Sequence, residues 1–324
     1  MSVATNSMEP AEALSEIARR CRAGALDAVL IAGPTASGKS ALALALAETL
    51  GGTVVNADSM QVYADLRVLS ARPTRDEEAR VPHRLYGIVP AARAYSVGDY
   101  LRDAAPVLAD LKRAGRVAVI VGGTGLYFRA LTTGLAETPV VPQEVRERVE
   151  GLARHGADLH AELARRDPEA AARLSPADSP RIQRALEVFE ATGTPISRWW
   201  QSHQSVPLLA PGRWQGLFLN PSRDALFARI DARFREMMGQ GALEEVRHLA
   251  TLGLAANRGV MKAHGLPHLV AHLAGALDLD EAIRLGQRDT RRYAKRQLTW
   301  ARKFMPDWIW AESVPALGGL VPPA

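Results

Sequence analysis

Glycine, lysine and a hydroxyl recur at one tight spacing in Gly33-Pro34-Thr35-Ala36-Ser37-Gly38-Lys39-Ser40, a full match to G-x-x-x-x-G-K-[ST]. In that pattern the glycines let the backbone approach an anion. The freed N–H groups and the N-terminus of the following helix then face phosphate oxygens. Lys39 adds a full positive charge, and Ser40 offers a hydroxyl to a magnesium ion. Two further stretches set reactive groups beside small residues. Asn56-Ala57-Asp58-Ser59-Met60-Gln61 carries a carboxylate that can hold magnesium, accept a proton or simply cap a loop. Gly122-Gly123-Thr124-Gly125 carries a hydroxyl in a glycine-rich turn.

The elements around these stretches explain how they meet. Residues 28–32 are an apolar run that reads as a buried strand, and 41–50 are good helix formers stopped by Gly51-Gly52. Residues 53–56 predict a second strand and 116–121 a third, with a helix opening over 126–131. Residues 97–114 read as a helix, whereas Pro73, Pro82 and Pro90 predict irregular chain over 70–98. A further strand over 215–220 and helices over 222–239 and 242–253 follow. Strands alternating with helices imply a parallel sheet covered on both faces, with ligands beyond the carboxyl ends of its strands. The fold class is therefore α/β, a P-loop NTPase-like parallel sheet flanked by helices. Residues 137–205 show no strand and predict an inserted all-helical module. The core domain is expected over 26–136 and 206–312. Residues 1–25, with a short helix over 13–22, and 313–324 are expected to be peripheral.

Composition excludes several classes. The 324 residues contain a single cysteine, Cys21, so no intramolecular disulfide forms. No apolar stretch spans a bilayer and residues 1–10 lack a signal-peptide core, so a cytoplasmic, membrane-free protein is expected. Net charge is only +5, but eight basic residues against one acid lie between Arg284 and Lys303. Positions 284, 288, 291/292 and 295 fall on one side of a helix. Such a stripe is either a solvated face or a contact to a phosphate backbone.

The order of segments carries a resemblance. GPTASGKS is followed by NADSMQVY (56–63), PHRLYG (82–87), VGGTGLYF (121–128), RIQRALEV (181–188) and RRYAKRQLTW (291–300). From about residue 28 to 311 the chain resembles the bacterial tRNA dimethylallyltransferase family, which prenylates N6 of adenosine 37 beside the anticodon. The resemblance implies that Gly33 to Ser40 hold the diphosphate of dimethylallyl diphosphate, with Mg2+ at Ser40. It implies that Asp58 is the general base, with Thr124 and Arg233 completing the catalytic set. Ser59, Met60 and Gln61 would face the target nucleotide with Asp58 and Thr124. Arg146 and Pro180, Arg181, Ile182, Gln183 and Arg184 align with tRNA-contacting positions. Lys262, Arg288, Arg292, Lys295 and Arg296 would add contacts to the anticodon stem-loop. A monomer is expected.

The sequence departs from the family pattern at two places. Leu69-Ser70-Ala71-Arg72-Pro73 stands where G-T-A-K-P is usual, and Ala263-His264-Gly265-Leu266 where A-I-G-Y is usual. Two other readings use the same loop: a P-loop kinase of a nucleoside or small metabolite, and an RNA-binding regulatory NTPase. The first leaves the basic helix and the helical insert without a role. The second requires an Asp ending the strand over 117–121, where Gly stands. Trp199, Trp200, Trp308 and Trp310 are open between core packing and base stacking, and His83 between loop and site.

Overall fold

A computed structural model describes residues 10–136, 138–202 and 205–312; the expected peripheral tail over 313–324 lies outside them. Helix α1 (Pro10–Arg22) is not peripheral. Leu14, Ile17, Ala18 and Cys21 form one apolar stripe at helical spacing and are buried with Val29, Ile31 and Leu46. Strand β1 (Ala28–Ala32) is wholly buried and runs through the glycine loop into α2 (Lys39–Leu50), which starts two residues earlier than its apolar pattern. Next come β2 (Thr53–Asn56), α3 (Arg75–Arg80) and β3 (His83–Arg84).

The expectation of irregular chain over 70–98 is corrected here. Thr74 and Glu77 form a reciprocal capping box that starts α3, and β3 pairs with β2 through only two residues, too few for periodicity to reveal. Helix α4 (Val97–Arg113), capped by Ser96, leads to β4 (Ala118–Gly122) and α5 (Gly125–Thr133).

Residues 133–207 form a compact unit of their own. It contains α6 (Gln143–Arg154), α7 (Leu159–Arg166), α8 (Pro168–Arg173), α9 (Ser179–Thr192) and α10 (Ile196–Ser202). Their apolar faces meet around Leu163, Ile182 and Leu186. The remaining residues form the other unit. It resumes with β5 (Trp214–Leu219), α11 (Arg223–Gly239) and α12 (Ala242–Thr251). It continues through a 3-10 turn at Val260–Lys262, α13 (Leu266–Leu273), α14 (Leu279–Phe304) and β6 (Ile309–Ala311). Helix α13 and strand β6 are not evident from the sequence pattern.

All six strands are parallel, in the order β3-β2-β4-β1-β5-β6. Ala32 is paired with Gly122 and Asn56 with Val121, so the loops after β1, β2 and β4 leave the same edge in step. Alternate strand residues feed two cores. Val29 and Ile31 pack with α1 and α2, while Leu30 and Ala32 pack with Tyr100, Phe128 and Ala301 on the other face. No helix among the described residues is long and apolar enough to cross a membrane.

Candidate active site

The glycine loop is built as its spacing demands. Gly38 sits at φ 95, a conformation that a side chain strains, and it turns the chain so that α2 begins at Lys39. Lys39 is partly buried and its Nζ donates to the Pro34 carbonyl at 3.3 Å. Burial pushes its pKa down to about 8 against the pull of Asp58, and Arg233 adds to the lowering. Ser37 is buried with its Oγ unpartnered, whereas Ser40 is exposed. The opening that Gly38, Lys39 and Ser40 line also holds Arg229, Arg233 and one acid, Glu236.

The second and third loops interlock across the sheet edge. Asn56 grips its own turn: its Oδ1 accepts from the Asp58 N–H at 2.8 Å and its Nδ2 donates to the Asp58 and Leu85 carbonyls. Asp58 Oδ1 in turn accepts from the Met60 N–H at 2.9 Å, and Oδ2 lies against Gly123. Thr124 Oγ1 accepts from the Ser59 N–H at 2.9 Å and donates to Ser59 Oγ at 3.2 Å. The close approach requires glycine at 122, where a Cβ would stand 2.0 Å from the Ala57 carbonyl oxygen.

Gln297 of α14 ties this arrangement to the phosphate loop. Its Oε1 accepts from the Thr35 N–H at 3.1 Å and its Nε2 donates to the Gly123 carbonyl at 2.9 Å, with the side chain buried. Tyr293, one turn earlier, sits beside Thr124 and Gln297. Burial and the charge of Asp58 raise its phenol pKa. The sequence reading missed both residues as site groups. Their signal was the i, i+4 spacing on the face of α14 adjoining the basic stripe.

Arg233 joins two spaces. On one side it lines an opening with Gly38, Lys39 and Ser40. On the other it lines a cleft with Asp58, Met60, Ile230, Phe234 and Met237, so cation, carboxylate and apolar side chains share one cleft. No hydrogen bond or ion pair engages Arg233 among the described residues. His264, at the unusual Ala263–Leu266 segment, lines the same cleft with its ring 4.3 Å from that of Tyr293. Burial and then Arg296 hold its imidazole below the usual range. Leu69, Ser70 and Ala71 close the cleft. Gln61 holds that segment by donating to the Ser70 and Ala71 carbonyls, each at 2.9 Å. Glu245 of α12 accepts from the backbone N–H groups of Arg67, Val68 and Leu69. Gln61 thus spends its amide on the protein's own loop.

The basic residues divide into bound and unbound. His268, Arg288 and Arg292 all face Asp289, at 2.8, 3.3 and 3.9 Å. Arg291 pairs with Asp231, and Arg284 with Glu281. Lys295 and Arg296 are exposed and have no acid partner among the described residues, and Lys262 is exposed. In the helical unit, Ile182 is corrected: it is 1% exposed, a core residue of α9 that cannot offer its side chain to a ligand. Arg184 donates to Thr138 Oγ1 and the Pro139 carbonyl, at 3.0 and 3.1 Å. Arg146 is partly buried with its Nε unpartnered, Gln183 is partly buried, and Pro180 and Arg181 are exposed. Trp308 and Trp310 pack on Phe128 and Phe218, and His83 donates its Nδ1–H to the Val81 carbonyl and packs its ring against Tyr86, so these are structural. Burial pushes the Cys21 thiol up to about 11, which leaves it unreactive.

Fold and site together define a P-loop-type α/β protein in which an anion cradle and a carboxylate flank an apolar cleft. The profile of the family described as IPP transferase matches residues 61–304, and that described as isopentenyl transferase matches residues 26–92. A tRNA dimethylallyltransferase of Bradyrhizobium sp. (strain BTAi1) is 57% identical over 293 residues, 90% of this chain and 96% of its own. One from Azorhizobium caulinodans is 56% identical over 284 residues, 87% of this chain and 91% of its own. The crystal structure of the full-length tRNA isopentenylpyrophosphate transferase of Bacillus halodurans is similar with a TM-score of 0.62 and 32% identity, covering 88% of this chain and 89% of that one. A eukaryotic dimethylallyltransferase acting on tRNA gives 0.74 and 26%, covering 88% and 73%. The chain belongs to the tRNA dimethylallyltransferase family, as its motifs suggest.

Proposed function

We propose that the protein transfers a dimethylallyl group from dimethylallyl diphosphate to N6 of adenosine 37 in the tRNA anticodon loop, releasing diphosphate. The observation that carries this reading is the apolar lining of Met60, Ile230, Phe234 and Met237 in the cleft that also holds Arg233 and Asp58. A sugar or polar metabolite gains nothing from such a lining, whereas a five-carbon allyl group does. Diphosphate binds Gly33 to Ser40, with Lys39 and Arg233 as counter-charges.

In the transfer the N6–C1 bond forms as the C1–O bond breaks, and the bond pair leaves on diphosphate. Lys39, Arg233 and the loop N–H groups stabilise that growing charge. The adenine amine is a weak nucleophile because its lone pair is delocalised. Asp58 accepts the N6 proton as the new bond forms. Met60 N–H fixes one carboxylate oxygen and leaves the other to face the base. Thr124 and Ser59 orient the nucleotide, which must leave the loop stack to reach a recessed carboxylate.

The site also fits Mg2+. Ser40 is exposed and its Oγ has no hydrogen-bond partner among the described residues, and magnesium typically takes one protein oxygen together with waters and substrate phosphates. No cluster of three acids, histidines or cysteines forms a cage among the described residues. When bound, the ion would neutralise diphosphate charge. Lys262, Lys295, Arg296 and, in the helical unit, Arg146, Pro180, Arg181, Gln183 and Arg184 are proposed to contact tRNA. Every group named belongs to one chain, and we propose that it works as a monomer. Incubation with an unmodified anticodon stem-loop and dimethylallyl diphosphate tests the reading. Mass spectrometry should find one dimethylallyl group on the adenosine at position 37. ATP consumption without prenyl transfer would favour the kinase.

A further inference from the structure

The C-terminal end of α14 carries aromatic surface that the reaction above does not use. Trp300 and Phe304 lie one turn apart with ring centroids at 4.6 Å. Phe304 is 37% exposed, and Leu126, which lines a hollow with Trp300, is 42% exposed. The Arg129 guanidinium stands 4.8 Å from the centre of the Phe304 ring and the Lys303 ammonium 5.3 Å. Trp300 is pressed on Gly125, where an added Cβ would come within 2.3 Å of its ring. It lines with Leu126, Arg296 and Thr124 an apolar hollow that extends to Gly33. Trp300 is therefore held in place beside the Thr124 loop, and Phe304 lies against it one turn further on.

An aromatic pair set among cations, with Phe304 exposed and Trp300 partly buried beneath it, fits a flat apolar ring attached to a phosphate. It does not fit an acidic peptide, which would leave the rings in water, or a dry protein interface, which would bury Arg296 and Lys303 unpaired. We infer that Trp300 and Phe304 form a stacking subsite for an unpaired RNA base next to the reacting adenosine. This rests on the tRNA reading and deepens it. Once the target adenine leaves the stack for Asp58, its neighbour loses a stacking partner. The platform replaces that partner and holds the loop open. Base stacking is tolerant of base identity, so the subsite fixes geometry more than sequence.

Fluorescence of a stem-loop with 2-aminopurine at either neighbour of the target adenosine tests this. With the wild-type protein the signal should fall on binding at one of the two positions, as the analogue stacks. Phe304→Ala should remove most of that fall and weaken stem-loop binding by about tenfold. Phe304→Tyr should restore both. The salt dependence of binding should not change, because no charge is lost. Affinity for dimethylallyl diphosphate without RNA reports that each variant is folded. Wild-type quenching and affinity in both Phe304→Ala and Trp300→Leu would overturn the subsite. So would a change in sedimentation of free Phe304→Ala, which would make the patch a contact between copies. If the wild-type protein itself neither binds nor prenylates the stem-loop, the tRNA reading fails and the subsite fails with it, a pattern distinct from failure in the variants alone.

Discussion

Asp58 lines the cleft and Lys39 the adjoining opening, with Arg233 in both, and each makes a separate prediction. Asp58→Asn keeps the size of the side chain and an oxygen for the Met60 N–H, but it cannot take a proton. Single-turnover transfer should fall by about two to four orders of magnitude while dimethylallyl diphosphate binding stays within about twofold. An unchanged rate would remove Asp58 from the role of base. Lys39 has its pKa lowered to about 8 in the free protein because burial penalises its charge. A bound diphosphate restores that charge, so the pKa rises on binding. Affinity is then insensitive to this group below about pH 8 and weakens as pH rises above it, by up to about tenfold per unit. Titration calorimetry between pH 7 and 9 in Lys39→Arg should lose that slope, since a guanidinium stays protonated there.

Helices α12 and α14 reach the site from far along the chain, and their contributions differ in kind. Glu245 of α12 accepts three consecutive backbone N–H groups of the segment that leads into Leu69, Ser70 and Ala71. Glu245→Gln puts an amide donor against those N–H groups. It should cost about 1–3 kcal/mol in denaturant unfolding and raise KM for dimethylallyl diphosphate, because the loosened segment walls the cleft. Helix α14 presents its unpaired cations, Lys295 and Arg296, beside cations already committed to Asp289. Lys295→Gln with Arg296→Gln should lower the log–log salt slope of stem-loop binding by about two. Arg288→Gln with Arg292→Gln should lower it less, because Asp289 already offsets part of their charge. Filter binding across a salt series separates the two pairs. Equal losses would mean that the ion pairs to Asp289 do not restrain those arginines.

The whole molecule consists of two compact units, residues 133–207 and the remainder, and all the diphosphate groups lie in the second. Calorimetric unfolding should therefore respond unevenly to ligand. Diphosphate at about a hundred times its Kd adds about 2.7 kcal/mol to the unit that binds it. The transition of the sheet-containing unit should move up and that of the helical unit should stay. Lys39→Ala should remove most of the movement. A single transition that shifts as a whole would mean that the units unfold together.

Several parts of this protein are determined by short stretches of its sequence. Gly33 to Ser40 specify a phosphate loop because the conformation of Gly38 and the start of α2 are local. Gly122 announces a close approach because no other residue fits beside the Ala57 carbonyl. The buried strand at 28–32 follows from an unbroken apolar run of strand length. The tertiary structure alone decided which distant groups complete the site. Gln297 meets Thr35 across 262 residues, and Glu245 meets Val68 across 177. No local preference encodes such pairings; they exist only once α12 and α14 are packed into their cores. The same holds for the division of the basic stripe, where the position of Asp289 and Asp231 selects which cations remain unpaired. It holds for Ile182, whose motif suggested a surface role while the phase of α9 turned it into the core. Spacing along the chain specifies chemistry that one loop can perform. Chemistry shared between loops is specified by packing, because side chains far apart in sequence acquire a fixed distance only when the elements between them do.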